Sequence, residues 1–408
     1  MNKNIKNLFP FFKNNPEKVY FDSAASSLKL SKVIEAERNF LTTNGANPHV
    51  TDYEKGFEAL EKLNYVRSLV RNMINACKTE EVIFTSGTTQ SINTLANGIA
   101  EFIKKDDEIL LTELEHSSNM MPWINLVKNT GAKIKKITLA DDFTIDINDL
   151  KNQINKNTKI ITISHVTNTL GTKNDIAAIV KVVKNINSGI IIHVDCAQSI
   201  AHEVIDVQNL GVDFISFSTH KIYSSFGLGV LWGKYDLLDK LKPFLFGGGM
   251  NLKIDSDFNY KLKSLPDKLE GGTPNIQAIY GFEQAINFIN KIKLKNIISH
   301  ETSLKKYFVQ KVNEKKLNCK IDFYNLNNNS PIILFNVKGV NPQDITTFLD
   351  KKYNILARGG ANCARRINGV IGVEIAVRIS FAIYNTFEEV DILIEALSNS
   401  EDFLSTII

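Results

Sequence analysis

From Glu81 onward, short and nearly continuous apolar runs alternate with helix-patterned segments. The runs are EVIFT, EILLT, AKIKKITL, KIITIS, GIIIHVD, DFISFS and LGVLWG, and between them lie TTQSINTLANGIAEF, MPWINLVKN and IAAIVKVVKNI. β-Branched runs without polar alternation are what strands buried on both faces require. Strands alternating with helices wind into a mostly parallel sheet wrapped by helices. The pattern covers roughly residues 20–255 and changes after an amphipathic stretch at 282–315. There SPIILFNV, PQDITTFLDKK, ILARGG, VEIAVRISFAIY and FEEVDILIEALS read as a few strands with helices on one face. The expected organisation is an arm over 1–20, a large α/β domain over 21–280 and a smaller α+β domain over 281–408. NLNNNS, at 325–330, reads as a surface turn.

The 408 residues are 43% hydrophobic with a net charge of +4, an ordinary globular composition that points to no nucleic-acid or membrane partner. Four cysteines, none in C-x-x-C or zinc spacing, imply no metal site and a reducing compartment. No apolar stretch approaches the ~18 residues of a membrane span, and the N-terminus lacks a signal-peptide core, so a cytoplasmic protein is expected.

Ligands of open α/β sheets bind beyond the carboxyl ends of the strands. The polar residues that follow each run are Ser86-Gly87-Thr88-Thr89, Glu115-His116, His165 with Asn168, Asp195 with Gln198, and His220-Lys221. Each has an ordinary explanation: a plain N-cap at Gly87-Thr88-Thr89, a helix-capping Asp195, a surface His116, a Lys221 that snorkels to solvent. Together they fit one ligand. A Gly/Thr turn opening a helix cradles a phosphate. A carboxylate at a strand end keeps a pyridine nitrogen protonated, and an imidazole stacks on the ring. A lysine between two buried runs loses its proton, falling from ~10.4 toward neutrality, and serves as a Schiff-base amine. This is the chemistry of a pyridoxal 5'-phosphate site.

The segments YFDSAAS (20–26), SGTTQSIN (86–93), LEHSSNMMPW (114–123), SHVTNTLGT (164–172), HVDCAQS (193–199), FSTHKIY (217–223), GGGM (247–250), LEGGTPN (269–275), RGGANCA (358–364) and VRISFAIYNTFEEVD (377–391) follow one another in order. In that order and spacing the chain resembles the fold-type I pyridoxal-phosphate enzymes of the class V aminotransferase family, and within them the SufS-type (group II) cysteine desulfurases. The resemblance implies a large domain with a mostly parallel seven-stranded sheet and a smaller α+β C-terminal domain. It implies that Lys221 holds the cofactor and later shuttles the Cα proton, Asp195 pairs with the pyridine nitrogen, and His116 stacks on the ring. Gln198 and Asn168 would contact the ring's phenolic edge. Thr88, Thr89, Ser218 and His220 would hold the phosphate, and Thr273 would reach the phosphate of the partner subunit in a homodimer. Arg378, with Arg358, would bind the substrate carboxylate; a buried structural ion pair is the competing reading of Arg378.

Cys363 stands in LARGGANCARR, after two glycines that permit a mobile loop and among Arg358, Arg365 and Arg366, whose charges favour a thiolate. It matches the family's persulfide-forming cysteine, whereas Cys77, Cys196 and Cys319 read as structural. The implied activity removes sulfur from L-cysteine, giving L-alanine and a Cys363 persulfide for iron–sulfur cluster assembly through a SufU, SufE or IscU type acceptor. A selenocysteine lyase, another class V enzyme such as an aminotransferase, and a non-catalytic partner of the same fold are the alternatives. The chain departs from the family pattern at Ala361 and Asn362, where two histidines are usual. It departs again at Tyr53 in place of a histidine, and at Arg365 in place of a proline.

Overall fold

The computed structural model describes residues 5–364 and 366–403. Its centre is a seven-stranded sheet of β1 (Val82–Thr85), β2 (Glu108–Leu111), β3 (Lys133–Lys136), β4 (Thr158–Ser164), β5 (Ile191–Asp195), β6 (Phe214–Ser218) and β7 (Gly229–Gly233). The strand order is β1-β7-β6-β5-β4-β2-β3, and only β7 runs antiparallel to its neighbours. Helices cover both faces, which is why Ile160, Ile161, Ile163, Ile192, Val194, Ile215 and Phe217 are all buried with no polar alternation. β3 is the exception: it is the edge strand, and its KIKK sequence leaves the lysines at the rim in water.

Around the sheet lie α1 (Ser31–Thr43), α2 (Glu54–Met73), α3 (Thr88–Gly98), α4 (Ser117–Thr130), α5 (Ile147–Gln153), α6 (Ile176–Ile186) and α7 (Ile276–Ile292). α6 shows the local logic. Asp175 caps its first turn through Ala178 N–H, and Ile176, Ile179, Val180 and Val183 form the apolar stripe that faces the sheet. A hairpin, β8 (Asn251–Ile254) and β9 (Tyr260–Leu262), projects from this domain with Leu252, Ile254, Phe258 and Tyr260 exposed.

The C-terminal part has its own core around an antiparallel sheet of β10 (Ile321–Phe323), β11 (Ile332–Val337), β12 (Arg358–Gly360) and β13 (Ala376–Ser380), in the order β10-β11-β13-β12. It is flanked by α8 (Leu294–Glu314), α9 (Pro342–Tyr353) and α10 (Phe387–Ser398). The expected division at 280/281 falls inside α7, one continuous helix packed on α1 and α2. We propose that the boundary lies at Lys293, a left-handed residue (φ +69°) where α7 gives way to α8. The N-terminal segment crosses between the two parts: Val19 and Tyr20 pair with Ile355 and Leu356, and Asp22 bridges to Ser380.

NLNNNS is more than a surface turn. Asn325 is buried; its amide donates to Leu170 O at 2.7 Å and to Ile332 O at 2.8 Å, and Asn328 donates to Leu170 O at 2.8 Å. An asparagine run looks like solvent-exposed turn chemistry until the carbonyl it serves, 155 residues earlier, is brought alongside. Among the described residues no helix is long and apolar enough to cross a membrane.

The packing of β7 against the turn before α3 carries a prediction. A Cβ on Gly229 would lie 2.4 Å from Gly87 Cα and 2.7 Å from its carbonyl carbon, both backbone atoms that cannot swing aside. Gly229→Ala is expected to lower thermal stability, by roughly 1–3 kcal/mol as for other overpacked positions. An unchanged melting temperature would contradict the tight approach.

Candidate active site

The carboxyl ends of β1, β2, β4, β5 and β6 converge on one cleft of about 190 Å³ lined by Thr88, Thr89, His116, Asn168, Asp195, Gln198, Ser218, His220, Lys221, Arg358 and Arg378. Eleven of the thirteen residues to which the family resemblance gives a role are therefore neighbours, whereas His165, also at a strand end, lies outside the cleft. Of the thirteen, the two outside it are Thr273 and Cys363. Thr273 is exposed, 3.4 Å from the Asn47 amide, and forms no part of this chain's own cleft. Cys363 stands at the rim, with its neighbour Asn362 lining the cleft and its Sγ 3.4 Å from Arg358 Nη2.

Lys221 ends the short turn after β6 and turns its amine inward, donating to Ala24 O, the carbonyl that also receives Gln198 Nε2 at 2.8 Å. Burial, reinforced by the Arg378 guanidinium and opposed by Asp195 and Asp22, brings its amine down from 10.5 to about 7. The snorkelling alternative fails because the side chain points into the cleft. Asp195 closes β5 and is pushed up to about 7 by burial and by nearby Glu115, against the N–H of Ala197 that donates to its Oδ1 at 2.9 Å. It thus caps the turn as well as facing the cleft, so the capping role leaves its carboxyl open to a ligand. Cys196, one residue on, is buried in the sheet core, and burial pushes its thiol up.

His116 is the N-cap of α4. Its Nδ1 accepts from Ser118 N–H at 3.1 Å, which puts the neutral ring's proton on Nε2. Burial and the charges of Lys221 and Arg378 hold this imidazole down at about 4, so the ring that faces the cleft is neutral. Beneath it Glu115 is fully buried and accepts from Thr112 Oγ1, Asn119 Nδ2, Ser164 Oγ and Ser164 N–H at 2.6–3.2 Å. At the other end, Thr88 N–H and Thr88 Oγ1 lie 2.7 and 2.8 Å from Ser218 Oγ, and Thr89 Oγ1 is 2.7 Å from Ser118 Oγ. These hydroxyls and the N-terminus of α3 form an anion-binding corner. His220 is stacked on Phe226 and kept neutral by burial.

Arg378 and Arg358 are directly opposed across the β12–β13 ladder. Arg378 donates to Asp22 Oδ1 at 3.1 Å and to Asn168 O at 2.8 Å, while its buried Nε has no partner. It is therefore ion-paired and still has a donor to offer. Asn168 gives its amide to Asn362 O at 2.7 Å, leaving its buried Oδ1 unpartnered in the cleft. Arg366 departs from expectation: its Nε lies 3.1 Å from Glu113 Oε1 and its Nη2 2.5 Å from the same oxygen, so its charge serves that pair rather than the thiol. Arg365 lies outside the described residues. Ser117, Ser118, Asp22 and Ala24 belong to the site yet were not singled out in the sequence. A signal was available in the LEHSSN segment, where two serines directly follow His116 at a helix start.

A buried amine of lowered basicity, a buried carboxyl, a neutral imidazole and a hydroxyl-lined helix N-terminus share one cleft of an open α/β sheet, the set of groups that suits a carbonyl cofactor. Residues 19–393 match the aminotransferase class-V family model, and the chain belongs to that family. A protein of Ureaplasma parvum named "Probable cysteine desulfurase" is 40% identical over 96% of both chains. The cysteine desulfurase of Wigglesworthia glossinidia brevipalpis is 38% identical over 98% of both. The apo structure of the cysteine desulfurase from Thermococcus onnurineus NA1 superposes with a TM-score of 0.91 at 32% identity, covering 98% of this chain and 97% of that one. The family's cofactor is pyridoxal phosphate, and the residues fit it: a neutralisable lysine, an acidic strand end, an orphaned Asn168 Oδ1 and the hydroxyl-lined N-terminus of α3.

A lysine held down to about 7 sheds its proton as the pH climbs through that value, so its reactive free amine prevails above it and vanishes below. In cofactor-free protein, trace acetic anhydride labelling of Lys221 is expected to rise with a midpoint near 7, against about 10 for surface lysines. A midpoint shared with the surface lysines would show that the amine is solvated.

Proposed function

We propose that this chain is a SufS-type cysteine desulfurase that removes sulfur from L-cysteine, leaving L-alanine and a persulfide on Cys363. The observation that carries the reading is the thiol at the rim of the lysine cleft, 3.4 Å from an arginine that itself lines the cleft. A plain aminotransferase has no use for a nucleophile there.

Pyridoxal phosphate supplies the electron sink for charge that develops at the substrate Cα. Thr88, Thr89, Ser218 and His220 would hold its phosphate, and Gln198 and Asn168 would contact its phenolic edge. Asp195 would keep its ring nitrogen protonated. His116 would cover the ring face as a neutral group. Arg378 Nε and Arg358 receive the substrate carboxylate, which fixes the Cα–H bond toward Lys221. The free amine of Lys221 takes that proton and later returns a proton to the product carbon. The Cys363 thiolate attacks the substrate sulfur; the S–S bond forms as the C–S bond breaks, and the bonding pair stays with carbon. Alanine departs, and the outer sulfur passes from Cys363 to an acceptor or scaffold protein for iron–sulfur assembly.

The working unit is a homodimer. Two features support this: Thr273 stands outside its own cleft, and the β8–β9 hairpin exposes Leu252, Ile254, Phe258 and Tyr260, an apolar edge suited to a second chain. Arg67 and Glu270, a buried bidentate pair at 2.6 and 2.9 Å, anchor the turn that carries Thr273.

Brief exposure to L-cysteine should add the mass of one sulfur to the peptide containing Cys363. Cys363→Ala should keep the cofactor absorbance of the parent while alanine formation drops to the uncatalysed background. Normal alanine release from that variant would sink the assignment.

A further inference from the structure

The loop that carries the nucleophile is fastened by its backbone. Asn362 and Cys363 both occupy the left-handed region, with φ of +50° and +59°. Asparagine tolerates that conformation; a cysteine there is strained and stays only where contacts enforce it. The contacts come from the large domain. Asn168 Nδ2 donates to Asn362 O at 2.7 Å, and Ser117 donates twice to Cys363 O, through Oγ at 2.8 Å and through its N–H at 2.9 Å. Ser117 is the first residue of α4, directly after His116. Within its own domain the loop has weaker ties: Asn362 Nδ2 to Gly360 O at 3.0 Å and to Ala376 O at 3.4 Å, and Arg358 to the thiol at 3.4 Å.

We propose that Ser117 is a positioning residue whose hydroxyl latches the Cys363 loop in its docked, left-handed form. The inference rests on the desulfurase reading for its purpose. The thiol at the rim is only partly exposed, and undocking of the loop would present its sulfur more fully to an acceptor. The N–H of Ser117 is fixed in the helix start and offers no release. The hydroxyl rotates, and can exchange the Cys363 carbonyl for water. Its bond therefore sets how often the strained pair lets go.

The test is alkylation of Cys363 by iodoacetamide in the cofactor-loaded protein, followed by mass spectrometry of the tryptic peptide 359–365. Ser117→Ala keeps the backbone donor and the helix start. It should be alkylated roughly three- to tenfold faster than the parent, the range expected when one net hydrogen bond is lost. The pH midpoint of the rate should stay in place, because the latch changes access and not ionisation. Ser117→Thr, which keeps the hydroxyl, should return the rate to that of the parent. Equal rates in Ser117→Ala and parent, a shifted midpoint at an unchanged plateau, or no rescue by threonine would each overturn the latch. Alkylation needs no turnover, so a parent protein that fails to make alanine would refute the proposed function and leave this comparison intact.

Discussion

The cleft is organised around an amine that gives up its proton near neutral pH. Lys221 is enclosed at the strand ends, and the guanidiniums of Arg378 and Arg358 add positive charge beside it. Those two arginines are opposite partners in one ladder of the small sheet, so the register of β12 against β13 fixes the field felt by a lysine of the large sheet. The same field that expels a proton from Lys221 attracts a carboxylate. On the proposed function, substrate binding and amine activation draw on one arrangement of charge. A like-charged cluster of this kind would separate the two domains if it were uncompensated. Asp22, from the crossing N-terminal segment, supplies the compensation through Arg378.

Asp195 and Glu115 form the opposite half. Both are buried carboxyls raised by that burial, and Glu115 pushes Asp195 further up. Four donors converge on Glu115, whereas Asp195 receives the N–H of Ala197. The well-satisfied carboxyl is structural and fixes β2, β4 and α4 to one another. The under-satisfied one keeps an oxygen free toward the cleft, and we propose that a ligand's cationic nitrogen is the partner that restores its charge.

The large sheet and its cleft were legible in the sequence because both follow from one rule. Continuous apolar runs declare fully buried strands, and the polar residue that ends each run must lie at the same edge of a parallel sheet. Lys221, Asp195, His116 and Asn168 are found this way without knowledge of any contact. What escaped was set by pairs distant in the chain. Arg366 sits three residues from Cys363 yet bonds Glu113, 253 positions away. Asn325 resembles turn chemistry and instead serves Leu170 across the domain boundary. The two serines of LEHSSN mark a helix start, but the partner of Ser117, the carbonyl of Cys363, lies 246 positions away.

Those missed contacts share a location. Asn325 and Asn328 grip the carbonyl of Leu170, two residues beyond Asn168; Asn168 grips Asn362; Ser117 grips Cys363. A Cβ on Gly171 would meet Ser330 Oγ at 2.0 Å, so the asparagine loop lies directly on the cofactor-side loop with no room between them. The cleft's own residues are placed by sheet geometry, which is stiff. The thiol is placed by side-chain bonds to backbone carbonyls, each worth about 1 kcal/mol net. The division has a chemical reason: the amine must be fixed to act on a bound substrate, whereas the sulfur carrier must reach the same substrate and then leave it. A fold that held Cys363 as rigidly as Lys221 could take sulfur and never deliver it.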